Sequence, residues 1–198
     1  MRVTIAACLG LILLSAPISA GVIVTNTTSA NFGPVNGGEF SIPYQVQNPN
    51  SVVVFGTYVD NVPGAVTSVG FGSGAGDQPA DGLVTIDRSS LTYFLNPSTS
   101  AGLSFNGTVG VPDNSSAGYV IWELAGVDLT APVQSASGAN GSLQITTTSP
   151  NSFITDMLGV NDFGISDVSS DADAVQTEIS QVFVVPGGGQ LAAGDATV

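Results

Sequence analysis

The chain has 198 residues, of which 15 are acidic and only 2 are basic, and it contains no histidine. Its net charge of −13 argues against binding to nucleic acid, because phosphate groups need clusters of cationic side chains, and against binding to anionic membranes for the same reason. Charged residues make up only 9% of the chain and hydrophobic residues 43%, so the composition indicates a folded domain rather than a disordered acidic tail.

The first 20 residues have the pattern of a secretory signal peptide. Arg2 supplies a positive start, an apolar run extends from Ile5 to Leu14, and small residues lead to Ala20. This run is too short to form a stable membrane anchor. We therefore predict cleavage after Ala20 and secretion of a chain that begins at Gly21, either to the extracellular space or to the cell surface.

The only cysteine, Cys8, lies inside this predicted signal peptide. Residues 5–8 superficially match a lipoprotein box, but most of the apolar run follows the cysteine, so we predict no lipid anchor. Removal of residues 1–20 leaves no cysteine, and stability must then come from a packed core rather than from disulfides. Residues 21–198 are long enough for one domain, and the sequence leaves open whether its C-terminal end is complete.

Short apolar stretches follow, separated by turns rich in Gly, Asn, Asp, Pro and Ser. Residues 40–46 alternate apolar and polar side chains, as a half-buried strand does, and Pro43 favours an edge strand or a bulge because it lacks an amide donor. Residues 51–59 are apolar on both faces, which predicts a central strand covered from both sides. Further strand patterns cover residues 102–109, 143–146 and 153–158.

Asn-Gly and Asp-Gly dipeptides between the apolar stretches favour strand reversals. Asn106 and Gly107 fall inside a strand pattern, which predicts either a bulge or a hairpin at that point. Residues 171–181 are the best helix candidate, but the β-branched run that follows fits a strand at least as well. About nine or ten short strands without βαβ alternation predict an all-β fold: one antiparallel β-sandwich, immunoglobulin-like or jelly-roll-like, over residues 21–198.

Residues 119–128, Tyr-Val-Ile-Trp-Glu-Leu-Ala-Gly-Val-Asp, place the only tryptophan beside a glutamate, as a sugar-cleaving site could. In a strand, however, adjacent side chains point to opposite faces. We therefore assign Trp122 to the core and Glu123 to the other face, as an outward-pointing acid. Asp128 is expected to bond to local backbone in the turn that follows. The predicted structural core includes Trp122, Leu124, Val120 and Phe105.

Several motifs occur in a consistent order over more than half of residues 21–198. These are an apolar strand at 51–59, Val-Thr-Ser-Val-Gly-Phe-Gly at 66–72, Leu-Thr-Tyr-Phe-Leu-Asn-Pro at 91–97, a strand at 102–109, and Leu-x-Gly-Val-Asp-x-Thr-x-Pro at 124–132. Together, residues 51–165 resemble a secreted bacterial β-sandwich module found in surface and adhesin-like proteins. The resemblance implies an extracellular sandwich of undefined function, and it brings no catalytic residues. Members of that family usually continue with a further closing strand.

Several catalytic chemistries lack an essential group in this chain. Without histidine or lysine, Ser-His-Asp hydrolysis, Cys-His catalysis, histidine-ligated zinc and Schiff-base chemistry are all excluded. Glycoside hydrolysis by two carboxylates remains, but it needs two acids that face each other across a cleft. The alternation at residues 122–123 does not supply this geometry, so we predict no enzymatic activity and no catalytic residues.

Acidic residues near the C-terminus are the best candidate metal ligands, because calcium is bound by oxygen atoms. They are Asp162, Asp167, Asp171 and Asp173. Their spacing matches no EF-hand loop, and a solvated acidic loop is the preferred alternative. No other cofactor is predicted.

The sequence therefore predicts an exported structural or adhesive β-sandwich module without catalytic activity, with extracellular glycans or other surface proteins as partners. The alternative is a carbohydrate-binding module, with or without the assistance of calcium, in which an exposed Tyr58 or Tyr119 stacks on a sugar. A glycoside hydrolase that uses carboxylates is the third interpretation.

Overall fold

The computed structural model describes residues 8–14, 21–35, 38–59, 66–86, 88–109, 115–130, 134–138, 153–161, 176–184 and 189–197. The strands in these ranges are β1 (Cys8–Leu14), β2 (Ile23–Val35), β3 (Glu39–Pro43), β4 (Val52–Val59), β5 (Val66–Gly72), β6 (Gln78–Pro79), β7 (Gly82–Ile86), β8 (Ser89–Leu95), β9 (Ser104–Val109), β10 (Ser115–Ala125), β11 (Gln134–Gly138), β12 (Phe153–Asn161), β13 (Gln176–Val184) and β14 (Gly189–Thr197). Within these ranges no helix has the length and apolarity needed to cross a membrane.

The central sheet has five antiparallel strands in the order β2-β10-β4-β8-β7. All eight residues of β4 are buried, so both faces of this strand are covered, as its two-sided apolar sequence predicts. Val53, Phe55 and Val59 point to one face, whereas Val52, Val54 and Tyr58 point to the other. The central sheet therefore contributes to two hydrophobic cores.

The front sheet has four antiparallel strands in the order β3-β9-β5-β6, and it packs on one face of the central sheet. Phenylalanines dominate the core between them. The rings of Phe55 and Phe105 stack with centroids 4.7 Å apart, and Phe71 and Phe94 pack around Phe105. β3 is an edge strand, so Pro43 removes no internal ladder bond. The predicted antiparallel β-sandwich is confirmed in these two sheets.

The back sheet has the order β11-β1-β12-β14-β13 and covers the other face of the central sheet. Phe153 and Met157 of β12 join the core that contains Trp122. β1 pairs with both β11 and β12, and it coincides with the apolar run of the predicted signal peptide. That this segment is cleaved stays a prediction. The residues of the two-sheet sandwich all lie after it in the chain.

The dipeptide Asn106-Gly107 does not interrupt its strand, so the predicted bulge or hairpin at this point was wrong. β9 pairs with β3 without a register shift from Ser104 to Thr108. Gly107 is needed for packing, because a Cβ there would collide with the ring of Phe40 and lie 2.7 Å from the carbonyl oxygen of Ser68. The glycine is thus explained by close packing inside a strand rather than by a turn.

The helix candidate at residues 171–181 is a strand from residue 176 onwards, since β13 runs from Gln176 to Val184. Its β-branched continuation therefore outweighed the acidic residues before it, which lie outside the described residues.

Candidate functional site

Glu123 lies near the end of β10 and is completely buried, with 0% of its surface exposed. The predicted alternation is present: Trp122 faces the back sheet and Glu123 the front sheet side. The expectation that Glu123 points outward into solvent was nevertheless wrong. The segment between β3 and β4, residues 44–50, folds over this face and covers the carboxylate.

The carboxylate of Glu123 accepts hydrogen bonds from three residues of that covering segment. The backbone N–H of Gln47 donates to both oxygens, at 3.1 Å to Oε1 and 3.0 Å to Oε2. Asn48 donates to Oε1 twice, from its backbone nitrogen at 2.7 Å and from its side-chain Nδ2 at 2.8 Å. The Tyr44 hydroxyl donates to Oε2 at 3.2 Å. We call this group the Glu123 clamp.

Neighbouring residues complete the Glu123 clamp. Asn26 on β2 donates from Nδ2 to the Tyr44 hydroxyl oxygen at 3.1 Å, and Thr25 Oγ1 donates to the Glu123 carbonyl oxygen at 3.0 Å. Burial raises the pKa of Tyr44 well above its ordinary value, and the nearby charge of Glu123 raises it further. The phenol therefore stays protonated and remains a donor to the carboxylate.

Every donor in the Glu123 clamp is neutral: two backbone amides, one side-chain amide and one phenol. Hydrogen bonds to a charged acceptor are stronger than those between neutral groups, so the clamp holds residues 44–48 firmly on the central sheet. Because Glu123 has no surface exposure, no substrate can reach its oxygens in this conformation. The geometry of the Glu123 clamp is therefore that of a structural interaction.

Three aspartates act in the same way on exposed or partly buried loops. Asp77 Oδ1 accepts from the backbone nitrogen of Gly74 at 2.6 Å, Asp81 Oδ2 from Leu95 at 2.7 Å and Asp128 Oδ1 from Thr130 at 2.9 Å. The local bonding of Asp128 agrees with its predicted turn position. Four carboxylates of the described residues thus bind backbone N–H groups, with no cation as partner in these bonds.

Asp77 also lies across the outer face of the front sheet, where it meets β9. Asn106 donates from Nδ2 to Asp77 Oδ2 at 2.7 Å and accepts at Oδ1 from the Ser41 hydroxyl at 2.7 Å. Gly70 and Gly72 make room for this arrangement, because a Cβ at either position would press against Asp77. The result is a chain of fixed polar groups from the 74–77 loop to β3.

These polar groups line an open groove of about 500 Å³ on the front sheet. The hydroxyls of Ser68 and Thr108 lie 2.7 Å apart on its floor. Its polar lining consists of Glu39, Ser41, Ser68, Asp77, Asn106 and Thr108. We refer to it as the front groove. It is a concave surface on which several polar side chains converge.

The four residues of the predicted structural core are completely buried: Trp122, Leu124, Val120 and Phe105. Tyr58 is buried, so the proposed stacking of a sugar on it was wrong. Tyr119 packs partly against the front core.

The candidate calcium ligands Asp162, Asp167, Asp171 and Asp173 lie outside the described residues. Within the described ranges, no group of three or more acidic, histidine or cysteine side chains is arranged to hold a metal ion.

The front groove was not predicted from the sequence. Its one recognisable signal is the pair Gly70 and Gly72 on alternate positions of a strand, followed by Asp77. Alternate glycines remove side chains from one face of a strand, which allows another segment to approach closely.

Comparison with protein-family models, with curated proteins and with solved structures gave no match to this chain.

Proposed function

We propose that this chain is an exported structural or adhesive β-sandwich module that acts at the cell surface or outside the cell, without catalysis. The observation that carries this proposal is the use of its acids. Glu123, Asp77, Asp81 and Asp128 all bind backbone N–H groups of the fold, so these carboxylates support the scaffold.

Export is supported by the cationic and apolar start of the chain and by the small residues before Gly21. A scaffold with two hydrophobic cores is suited to presenting a surface outside the cell. The front groove, on the face of the front sheet away from the central sheet, supplies such a surface.

Secretion and adhesion can be tested with the full chain expressed in a bacterial host. N-terminal sequencing of the exported protein is expected to begin at Gly21, and beads coated with the purified protein are expected to adhere to cell-surface preparations. A protein that stays in the cytoplasm with residues 1–20 still attached would contradict export. Beads that adhere no better than albumin-coated beads would contradict adhesion.

The absence of catalysis needs its own assay. Incubation with plant, bacterial and fungal polysaccharides is expected to release no reducing ends. Release that is abolished by replacing any one acid of the chain would instead favour the glycoside hydrolase interpretation.

A further inference from the structure

The front groove holds polar groups that are fixed in place by the fold. Asp77 is held by Gly74 and Asn106, and Asn106 is held in turn by Ser41. A polar group that is already ordered loses little entropy when a ligand binds, which favours affinity. The volume of about 500 Å³ lies within the usual range for small-molecule sites, roughly 300–1,000 Å³.

The fixed groups retain capacity for further hydrogen bonds. Each carboxylate oxygen has two acceptor sites, and each oxygen of Asp77 has one protein donor at hydrogen-bonding distance, from Gly74 or Asn106. The hydroxyls of Ser68 and Thr108 bond to each other, and that of Thr108 also lies 2.8 Å from the Thr67 hydroxyl, so each keeps part of its capacity to donate or accept. The groove therefore offers carboxylate acceptors and hydroxyls together, and these groups complement neighbouring hydroxyls of a ligand.

Charge narrows the class of ligand. Glu39 and Asp77 make the lining negative, and the described lining contains no basic side chain. The acidic chain as a whole adds to the repulsion of phosphate, sulfate and carboxylate groups. Two acids are too few for a calcium site built mainly from carboxylates, since calcium takes about 6–8 oxygen ligands.

Among the described residues that line this groove, no aromatic ring is available for stacking on a ligand. Phe40 lines it but is 8% exposed, and its ring packs 5.9 Å from that of Phe55 in the front core. Recognition here must come from hydrogen bonds to the polar side chains.

We propose, as an extension of the adhesive function proposed above, that the front groove binds a neutral oligosaccharide through its hydroxyl groups. Asp77 and the side-chain oxygen of Asn106 accept from adjacent sugar hydroxyls, and Ser41, Ser68 and Thr108 contact the hydroxyls along the floor. This site gives the adhesive surface its ligand class.

The test is isothermal titration of the full-length protein with defined trisaccharides. The probes are neutral trisaccharides of glucose, mannose, galactose and xylose, with a galacturonate trisaccharide as the anionic arm, a glucosamine trisaccharide as the cationic arm and calcium chloride alone as the metal arm. We expect saturable binding of at least one neutral probe at millimolar or lower concentration. We expect no binding of the anionic probe.

The double variant Ser41→Ala with Thr108→Val removes two groove hydroxyls and leaves the backbone of both strands unchanged. It is expected to weaken binding of that neutral probe at least about tenfold, as the loss of two hydrogen bonds implies. The matched control, Thr27→Val with Ser98→Ala, makes the same chemical changes at exposed positions outside the groove and is expected to bind as the unmodified protein does. If the double variant fails to fold, Ser68→Ala removes one exposed groove hydroxyl that takes no part in holding Asp77, and it is expected to weaken binding in the same direction.

Binding of only the glucosamine probe or only calcium, binding of no probe, or binding that the folded groove variants leave unchanged would overturn the inference. The bead assay separates this failure from that of the proposed function. Equal adhesion of beads coated with the unmodified protein and beads coated with the double variant would refute the assignment of the groove but not the adhesive function. Sugar binding by a protein that is not exported and does not adhere would refute the function and retain the site.

Discussion

At the scale of single residues, Glu123 shows how a buried charge is stabilised without a cation. Its partners are backbone and side-chain donors, mostly from a segment about 75 residues away in sequence. Burying a carboxylate is costly unless its hydrogen bonds are made, and here both oxygens are bound. This single acid therefore fastens the link between the front and central sheets.

Replacing Glu123 is expected to destabilise the fold strongly. Glu123→Ala leaves the part-buried amides of Gln47 and Asn48 without their acceptor, and a loss of about 3 kcal/mol or more in the free energy of unfolding is expected, whereas Glu123→Gln should cost about 1–3 kcal/mol. Urea unfolding followed by circular dichroism measures both. Glu39→Gln makes the same change at an exposed glutamate and should alter stability by less than about 0.5 kcal/mol. Equal effects at the two positions would contradict the Glu123 clamp.

Tyr44 gives the Glu123 clamp a dependence on alkaline pH. Its pKa in the folded protein is raised above the ordinary value of about 10, so the folded state holds the phenol proton more tightly than the unfolded state does. The contribution of Tyr44 to stability is then complete below about pH 10 and is lost as the pH rises further. The Tyr44 contribution to the free energy of unfolding should therefore stay constant from about pH 8 to just below about pH 10 and fall at higher pH.

Tyr44→Phe should make that fall less steep. Some dependence should remain, because burial and the charge of Asp81 also raise the pKa of Tyr93. An identical slope in Tyr44→Phe and in the unmodified protein would show that Tyr44 does not ionise differently on folding.

At the scale of elements, glycines decide how closely neighbouring segments approach the front sheet. Gly70 and Gly72 admit Asp77 to the outer face of β5, and Gly107 admits the ring of Phe40 to the inner face of β9. In each case the position has a role in packing, since none of the three adopts the left-handed backbone conformation that favours glycine. A strand that contains several glycines can therefore still pack tightly against its neighbours.

Gly107→Ala is expected to destabilise the protein by about 1–3 kcal/mol, as overpacking of a core does. The added methyl group must displace the Phe40 ring and press on the carbonyl oxygen of Ser68. Thermal unfolding monitored by circular dichroism provides the measurement. Gly21→Ala serves as the comparison, because its methyl group would meet no atom within 4 Å. A Gly107→Ala midpoint equal to that of Gly21→Ala would refute this account of β9.

At the scale of the whole molecule, the described strands form three layers with the central sheet in the middle. Each face of that sheet has its own core, one rich in phenylalanine and the other built around Trp122. Trp122 packs with Phe153 and Met157 of β12, so the only tryptophan of the chain reports on the contact between the central and back sheets.

Trp122 should therefore emit at the short wavelengths typical of a buried indole. Trp122→Ala is expected to cost about 3–5 kcal/mol, as large truncations in a core do, because a cavity opens between two layers. Trp122→Phe, which keeps an aromatic ring, should cost less. Emission typical of a water-exposed indole in the folded protein would contradict the packing of the back sheet on the central sheet.

The sequence by itself determined the β class, the antiparallel arrangement and the strand covered on both faces. These properties follow from local patterns: alternation with a period of two, the doubly apolar 51–59 stretch and the spacing of turn residues. The alternation also placed Trp122 and Glu123 on opposite faces. Such patterns state which side chains share a face of a strand.

Only the tertiary structure decided what covers each face. Glu123 is buried because residues 44–50 fold over it, and the front groove exists because the 74–77 loop lies on two glycines of β5. Both arrangements join segments that are distant in sequence or separated by a turn. Period-two alternation carries no information about such contacts, so a polar residue on a strand is read as exposed until the covering segment is known.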